Sequence, residues 1–65
     1  MRGQKRYRVV IRLYWRDGAT EHVSRPIITY MYGAKSRGLL EVIRASYASS
    51  YLWAHTVTAQ FEEGN

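Results

Sequence analysis

Side chains from Arg6 to Arg16 alternate in character with a period of two, and no other feature limits this chain's folding options as much. Tyr7, Val9, Ile11, Leu13 and Trp15 fall on one side of an extended strand, and Arg6, Arg8, Val10, Arg12, Tyr14 and Arg16 on the other. Successive side chains of a strand point to opposite faces. One face can therefore enter a core, while the other meets water or a partner. The pattern predicts a half-buried strand in a sheet covered on one side only.

Length makes that strand decisive. With 65 residues the chain reads as one domain, 1–65, and a domain of this size buries only about 60% of the surface its unfolded chain exposes. There is no cysteine, so neither disulfides nor thiolate metal sites reinforce the fold. Six Tyr, two Trp and one Phe supply large apolar areas instead, and a homodimer is the other route to a larger core. The composition is too hydrophobic and too poor in Pro and Gly for a disordered chain.

Turn and helix signals give the order of elements. Residues 1–5 read as a flexible basic arm and 62–65 as a flexible acidic tail. Asp17-Gly18 separates two strand-like runs and marks a hairpin. A two-residue turn there would set Leu13 opposite His22. A three-residue loop of Arg16, Asp17 and left-handed Gly18 sets Ile11 opposite Val23 and Tyr7 opposite Ile27. The second keeps apolar side chains together and is preferred, at the cost of Glu21 and Arg25 on the core side. Pro26, which cannot donate to a ladder, predicts an edge or a bulge in the second strand, 19–32. Ser36 is a suitable N-cap for a helix over 37–48 with Leu39, Leu40, Ile43 and Tyr47 on one face, Val42 at its edge, and Arg37, Glu41 and Arg44 opposite. A last strand over 51–61 puts Tyr51, Trp53, His55, Val57, Ala59 and Phe61 on one side. The fold expected is α+β: a β-β-α-β domain with a three-stranded, mainly antiparallel sheet, the first strand central and one helix on one face.

Ten basic residues, eight of them Arg, stand against five acidic ones, for a net charge of +5. Such a balance argues about partners, and Arg suits bidentate contact with phosphate or carboxylate. Arg6, Arg8, Arg12 and Arg16 with Tyr14 between them form the candidate nucleic-acid-binding face. Residues two apart on a strand are about 7 Å apart, and an aromatic ring among cations can stack a base. Arg2, Lys5, Lys35 and Arg37 extend the patch, the last two near a helix N-terminus that favours anions. The plain alternative for every one of these residues is a solvated face that keeps the chain soluble.

Catalytic and metal signals are weak. The two histidines, His22 and His55, have no metal-ligand spacing, and no catalytic motif stands out. An acid–base RNase using one of them beside arginines is the enzymatic alternative; the expectation is a non-enzymatic protein without metal or cofactor. No signal peptide or membrane-length apolar run is recognisable, which makes a cytoplasmic protein with no membrane partner the default expectation.

Two resemblances follow from these residues. Residues 25–38, with Arg25, Thr29, Tyr32-Gly33, Lys35 and Gly38, have a spacing similar to the nucleotide-site motif of single-subunit phage RNA polymerases, where it lies on a helix; no residue role is carried over from it. In outline, the hairpin, helix and final strand are similar to small phage-encoded host-takeover proteins. That second resemblance implies a phage or mobile-element accessory protein that binds and inhibits or modulates a host protein, and transfers no residues. The expected partner is thus nucleic acid (DNA or RNA) or, alternatively, an acidic host protein surface, with Trp15, Tyr30, Tyr32 and Trp53 as aromatic anchors.

Overall fold

A computed structural model describes residues 6–33 and 35–62. The elements are β1 (Arg6–Asp17), β2 (Thr20–Val23), β3 (Ile27–Tyr32), α1 (Arg37–Ser50) and β4 (Thr56–Phe61). All four strands join one antiparallel sheet, and β1 pairs with each of the other three. Val9, Val10 and Ile11 have partners in both β3 and β4, and Tyr14 has partners in both β2 and β4. A strand has two edges, so β2 and β3 share one edge and β4 takes the other. The sheet is therefore three strands wide, its second strand broken in two, with β1 central as expected.

The hairpin register differs from both sequence-based alternatives. Asp17 pairs with Thr20 and Trp15 with His22, so the loop is Gly18-Ala19. Gly18 is left-handed (φ 64°) and no non-glycine residue among those described has positive φ. Left-handed glycine at the first loop position is the pattern of a II′ turn, whose twist matches that of the flanking strands. A further correction comes with it: Glu21, expected on the core side, lies opposite Arg16 on the other face.

Between β2 and β3 the register moves by one residue, from Tyr14 opposite Val23 to Ile11 opposite Ile27. The extra residue sits in Ser24-Arg25-Pro26, where Pro26 predicts a bulge. Ser24 seals the break. Its backbone N–H donates to the Leu13 carbonyl at 2.8 Å, its Oγ accepts from the Leu13 N–H at 3.0 Å and donates to the Arg25 carbonyl. Arg25 is exposed in this bulge and not on the core side. Beyond it, Ile27, Thr29 and Met31 share the face of Ile11, Val9 and Tyr7, while Ile28, Tyr30 and Tyr32 share that of Val10, Arg8 and Arg6.

The core forms on the odd-numbered face of β1. Val9, Ile11 and Leu13 are buried with Ile43 and Val57, and Ile27, Met31, Leu39, Leu40, Tyr47, Ala59 and Phe61 pack around them. Ser36 caps α1 by accepting from the Leu39 N–H at 3.1 Å. The helix runs two residues past its expected end. Val42, placed at the edge of the apolar face, is 67% exposed. On the polar face Glu41 pairs with Arg44. The final strand is shorter than predicted, because residues 51–55 form a turn in which the Ala54 N–H donates to the Tyr51 carbonyl. Leu52 and Trp53 in this turn are exposed. At the other end, Glu62 continues the ladder by donating to the Arg8 carbonyl at 2.9 Å, so the expected acidic tail does not begin there. Residues 25–33 and 35–38 hold the end of the bulge, a strand and a helix start, unlike the helical setting of the polymerase motif.

With a core this small, one buried side chain is a large share of stability. Ile11→Ala is expected to cost about 3 kcal/mol in urea denaturation, whereas Val42→Ala should change stability by less than about 0.5 kcal/mol. Equal effects of the two substitutions would contradict this core assignment.

Candidate nucleic-acid interface

The face of the sheet opposite α1 carries the predicted row. Arg6, Arg8, Arg12, Tyr14 and Arg16 all project from β1 on this side, alternating with the core residues. Cross-strand neighbours add Tyr32 opposite Arg6, Tyr30 opposite Arg8 and Ile28 opposite Val10. On the other edge, Gln60, Thr58 and Thr56 stand opposite Val10, Arg12 and Tyr14. Val10 is only 8% exposed although it lies off the main core. Long arginine stems and rings cover such positions by laying their apolar parts along the sheet.

Sequence alone gives this strand face a single sign, but the sheet brings two carboxylates to it. Arg8 donates from Nη1 to both Glu62 oxygens, at 2.9 and 3.3 Å. Hydrogen bonding to Glu62, with its charge, raises the Arg8 guanidinium above its ordinary value. Arg16 Nε donates to Glu21 at 2.8 Å. The same Glu21 lies 3.0 Å from His55 Nε2, and His55 Nδ1 lies 2.8 Å from Thr56 Oγ1. The hydrogen bond from His55, joined by the bond and charge of Arg16, holds the Glu21 carboxyl below its ordinary range against the opposing effect of desolvation.

Arg6 and Arg12 remain outside the ion pairs of the described residues. The Arg6 guanidinium sits 4.7 Å from the centre of the Tyr30 ring, with that of Arg8 at 5.9 Å from the same ring. Tyr30 is thus flanked by two cations, an arrangement its ring quadrupole favours. Arg12, half-buried at mid-strand, has neither a carboxylate nor a ring partner among the described residues.

The remaining predicted residues are not brought to this face. Lys35 Nζ lies over the rings of Tyr7 and Phe61, at 5.2 and 5.4 Å, which is the helix side of the sheet. Arg37 is exposed at the first position of α1. Arg2 and Lys5 lie outside the described residues. Conversely, Tyr30 and Tyr32 join the arginine row, where sequence reasoning treated them only as anchors for a protein partner. The missed signal was the alternation of residues 27–32 counted afresh after Pro26.

On the helix side, His22 stacks on Trp15 at 5.3 Å, Trp53 meets Trp15 edge-on at 5.4 Å, and Tyr51 meets Trp53 at 5.7 Å. His22 and His55 are thereby separated into different surroundings. Among the described residues no cluster of metal-ligating side chains occurs, and no helix is long and apolar enough to cross a membrane. Comparison with known protein families, curated proteins and solved structures finds no match, so the site is read from its own chemistry.

A carboxyl held below its unfolded-state value stabilises the fold above that value, and the contribution is lost as pH falls through the folded-state value. Stability of the unsubstituted chain is therefore expected to drop more steeply than that of Glu21→Gln once pH goes below the ordinary carboxylate value of 4.5. Urea midpoints across the acid range measure this, and parallel profiles would remove Glu21 from the account.

Proposed function

We propose that this chain is a small non-enzymatic protein that binds nucleic acid, with the arginine face of β1 contacting phosphates. The observation that carries the reading is the placement of four arginines and three tyrosines together on the one sheet face that α1 leaves uncovered. Arginine on a rigid strand holds its donors at fixed spacing, and its fork matches a phosphate in a bidentate manner. Arg12 is the primary phosphate contact. Arg8 and Arg16 exchange their carboxylate partners for phosphate, and Arg6 contributes through its position over Tyr30. Affinity then comes mostly from counterion release and is weakly dependent on sequence.

Glu62 and Glu21 are internal competitors under this reading. Each already occupies an arginine with the oxygen geometry that a phosphate would present. The face keeps a net positive balance, but binding has to displace at least one of these pairs.

The alternative is an acidic host protein surface. It draws support from the exposed Leu52 and Trp53, since arginine together with aromatic side chains is also the composition of protein hot spots. The two readings part on salt: summed phosphate contacts give a steep log–log slope, whereas a few buried aromatic anchors do not.

Fluorescence anisotropy with labelled oligonucleotides at two or more salt concentrations tests the proposal. Saturable binding that weakens with salt is expected. Arg8→Ala with Arg12→Ala should weaken binding to all sequences alike and reduce the slope by roughly 0.7 per arginine removed. Glu62→Gln should tighten binding by a few-fold. No binding at low salt would overturn the reading and leave the acidic protein partner.

A further inference from the structure

We propose that the ligand of this face is a single-stranded polynucleotide whose bases stack on Tyr30 and Tyr32; this rests on the nucleic-acid reading above and names its substrate class. The tyrosines are the new element. Both are large side chains left substantially exposed on β3, Tyr30 at 44% and Tyr32 at 58%. Each stands directly opposite an arginine of β1, Tyr32 by Arg6 and Tyr30 by Arg8. Directly opposed side chains are about 5 Å apart at Cβ; the Arg6 and Arg8 guanidiniums both turn to the Tyr30 ring, at 4.7 and 5.9 Å, and Tyr32 lies beside Arg6 at the end of the row. A nucleotide has the matching parts: a flat base and one phosphate.

Duplexes fit this surface poorly. In a duplex the bases are stacked inside, and only their edges are open in the grooves. The major groove admits a helix or a two-stranded ribbon. Here the sheet is three strands wide, spanning about 10 Å between outer strand axes, and the helix thickens it from behind. Rings lying on the broad face of such a sheet cannot enter the groove. A duplex could therefore use only the arginines, and Tyr30 and Tyr32 would remain idle.

A single strand can use every part. Its bases turn away from the backbone and stack on rings, or on guanidinium planes such as that of Arg6. Tyr30 and Tyr32 are two residues apart on β3, a separation of about 7 Å. That is roughly twice the rise per nucleotide of a stacked strand, so the strand must be drawn out and its bases separated. Arg12, farther along the face and outside any ion pair of the described residues, then takes a neighbouring phosphate. The 2′-hydroxyl decides between RNA and DNA, and both carry the chemistry inferred here.

The test measures anisotropy of the full chain against poly-pyrimidine RNA, poly-pyrimidine DNA and a duplex DNA of equal length at one salt concentration. Either single strand is expected to bind at least tenfold tighter than the duplex. Tyr30→Leu with Tyr32→Leu, which keeps apolar bulk but deletes the rings, should lose on the order of tenfold per ring for single strands and much less for the duplex, which loses only the seat of Arg6. Tyr30→Phe with Tyr32→Phe should retain wild-type affinity, and far-UV circular dichroism reports the fold of each variant. Equal affinity for duplex and single strand, or undiminished binding by a folded leucine variant, overturns the stacking inference while the phosphate reading stands. Absence of binding to all three ligands overturns both.

Discussion

Every element of this protein depends on the two-sided pairing of β1. Among the described residues that strand alone has partners on both edges, and it supplies three of the buried residues around which α1 and β4 assemble. Hydrogen bonding fixes its backbone while alternation divides its side chains, so the same eleven or so residues build the core and the exposed face. Neither role can be altered independently. A chain this short cannot devote one segment to stability and another to recognition.

That economy shapes the electrostatics of the open face. Four arginines on one strand would repel one another if left alone, and Glu21 of β2 and Glu62, just past β4, answer them. Both pairs are solvent-exposed, where ion pairs contribute little to stability. Their larger effect is on orientation: a carboxylate at each end holds an arginine extended along the sheet, and the Tyr30 ring does the same for Arg6. The result is an ordered set of donors in which Arg12 has neither a carboxylate nor a ring partner among the described residues.

Much of this could be read in the sequence, and the failures have a common cause. The α+β class, the central first strand, the cap at Ser36 and the core face of β1 follow from periodicity and single-residue signals, which are local. The hairpin register does not. Asp17-Gly18 marks a turn without stating which residues close it, and a choice based on keeping apolar residues together placed Glu21 on the wrong face. The end of the helix and the start of β4 were likewise blurred, because Tyr51 and Trp53 fit a strand pattern while the chain uses them to turn. Tyr30 and Tyr32 escaped the candidate site because the expected register, although it gives them the right face, aligns them with positions before Arg6 and not with Arg6 and Arg8. The two carboxylate partners escaped it because both are distant in sequence, Glu21 on β2 and Glu62 just past the end of β4.

The break at Ser24-Arg25-Pro26 makes the chain's length, and not only its residue types, a determinant of what it presents. One extra residue there changes which parity of β3 points outward. Were the β2 register to continue unbroken, Ile28 and Tyr30 would turn under the helix and Thr29 and Met31 would emerge beside the arginines. A point substitution alters one position of this surface, whereas a one-codon deletion in the bulge exchanges the inner and outer sets of a whole strand. The protein is thus poised one residue away from a different surface, reachable without rewriting any side chain in β3.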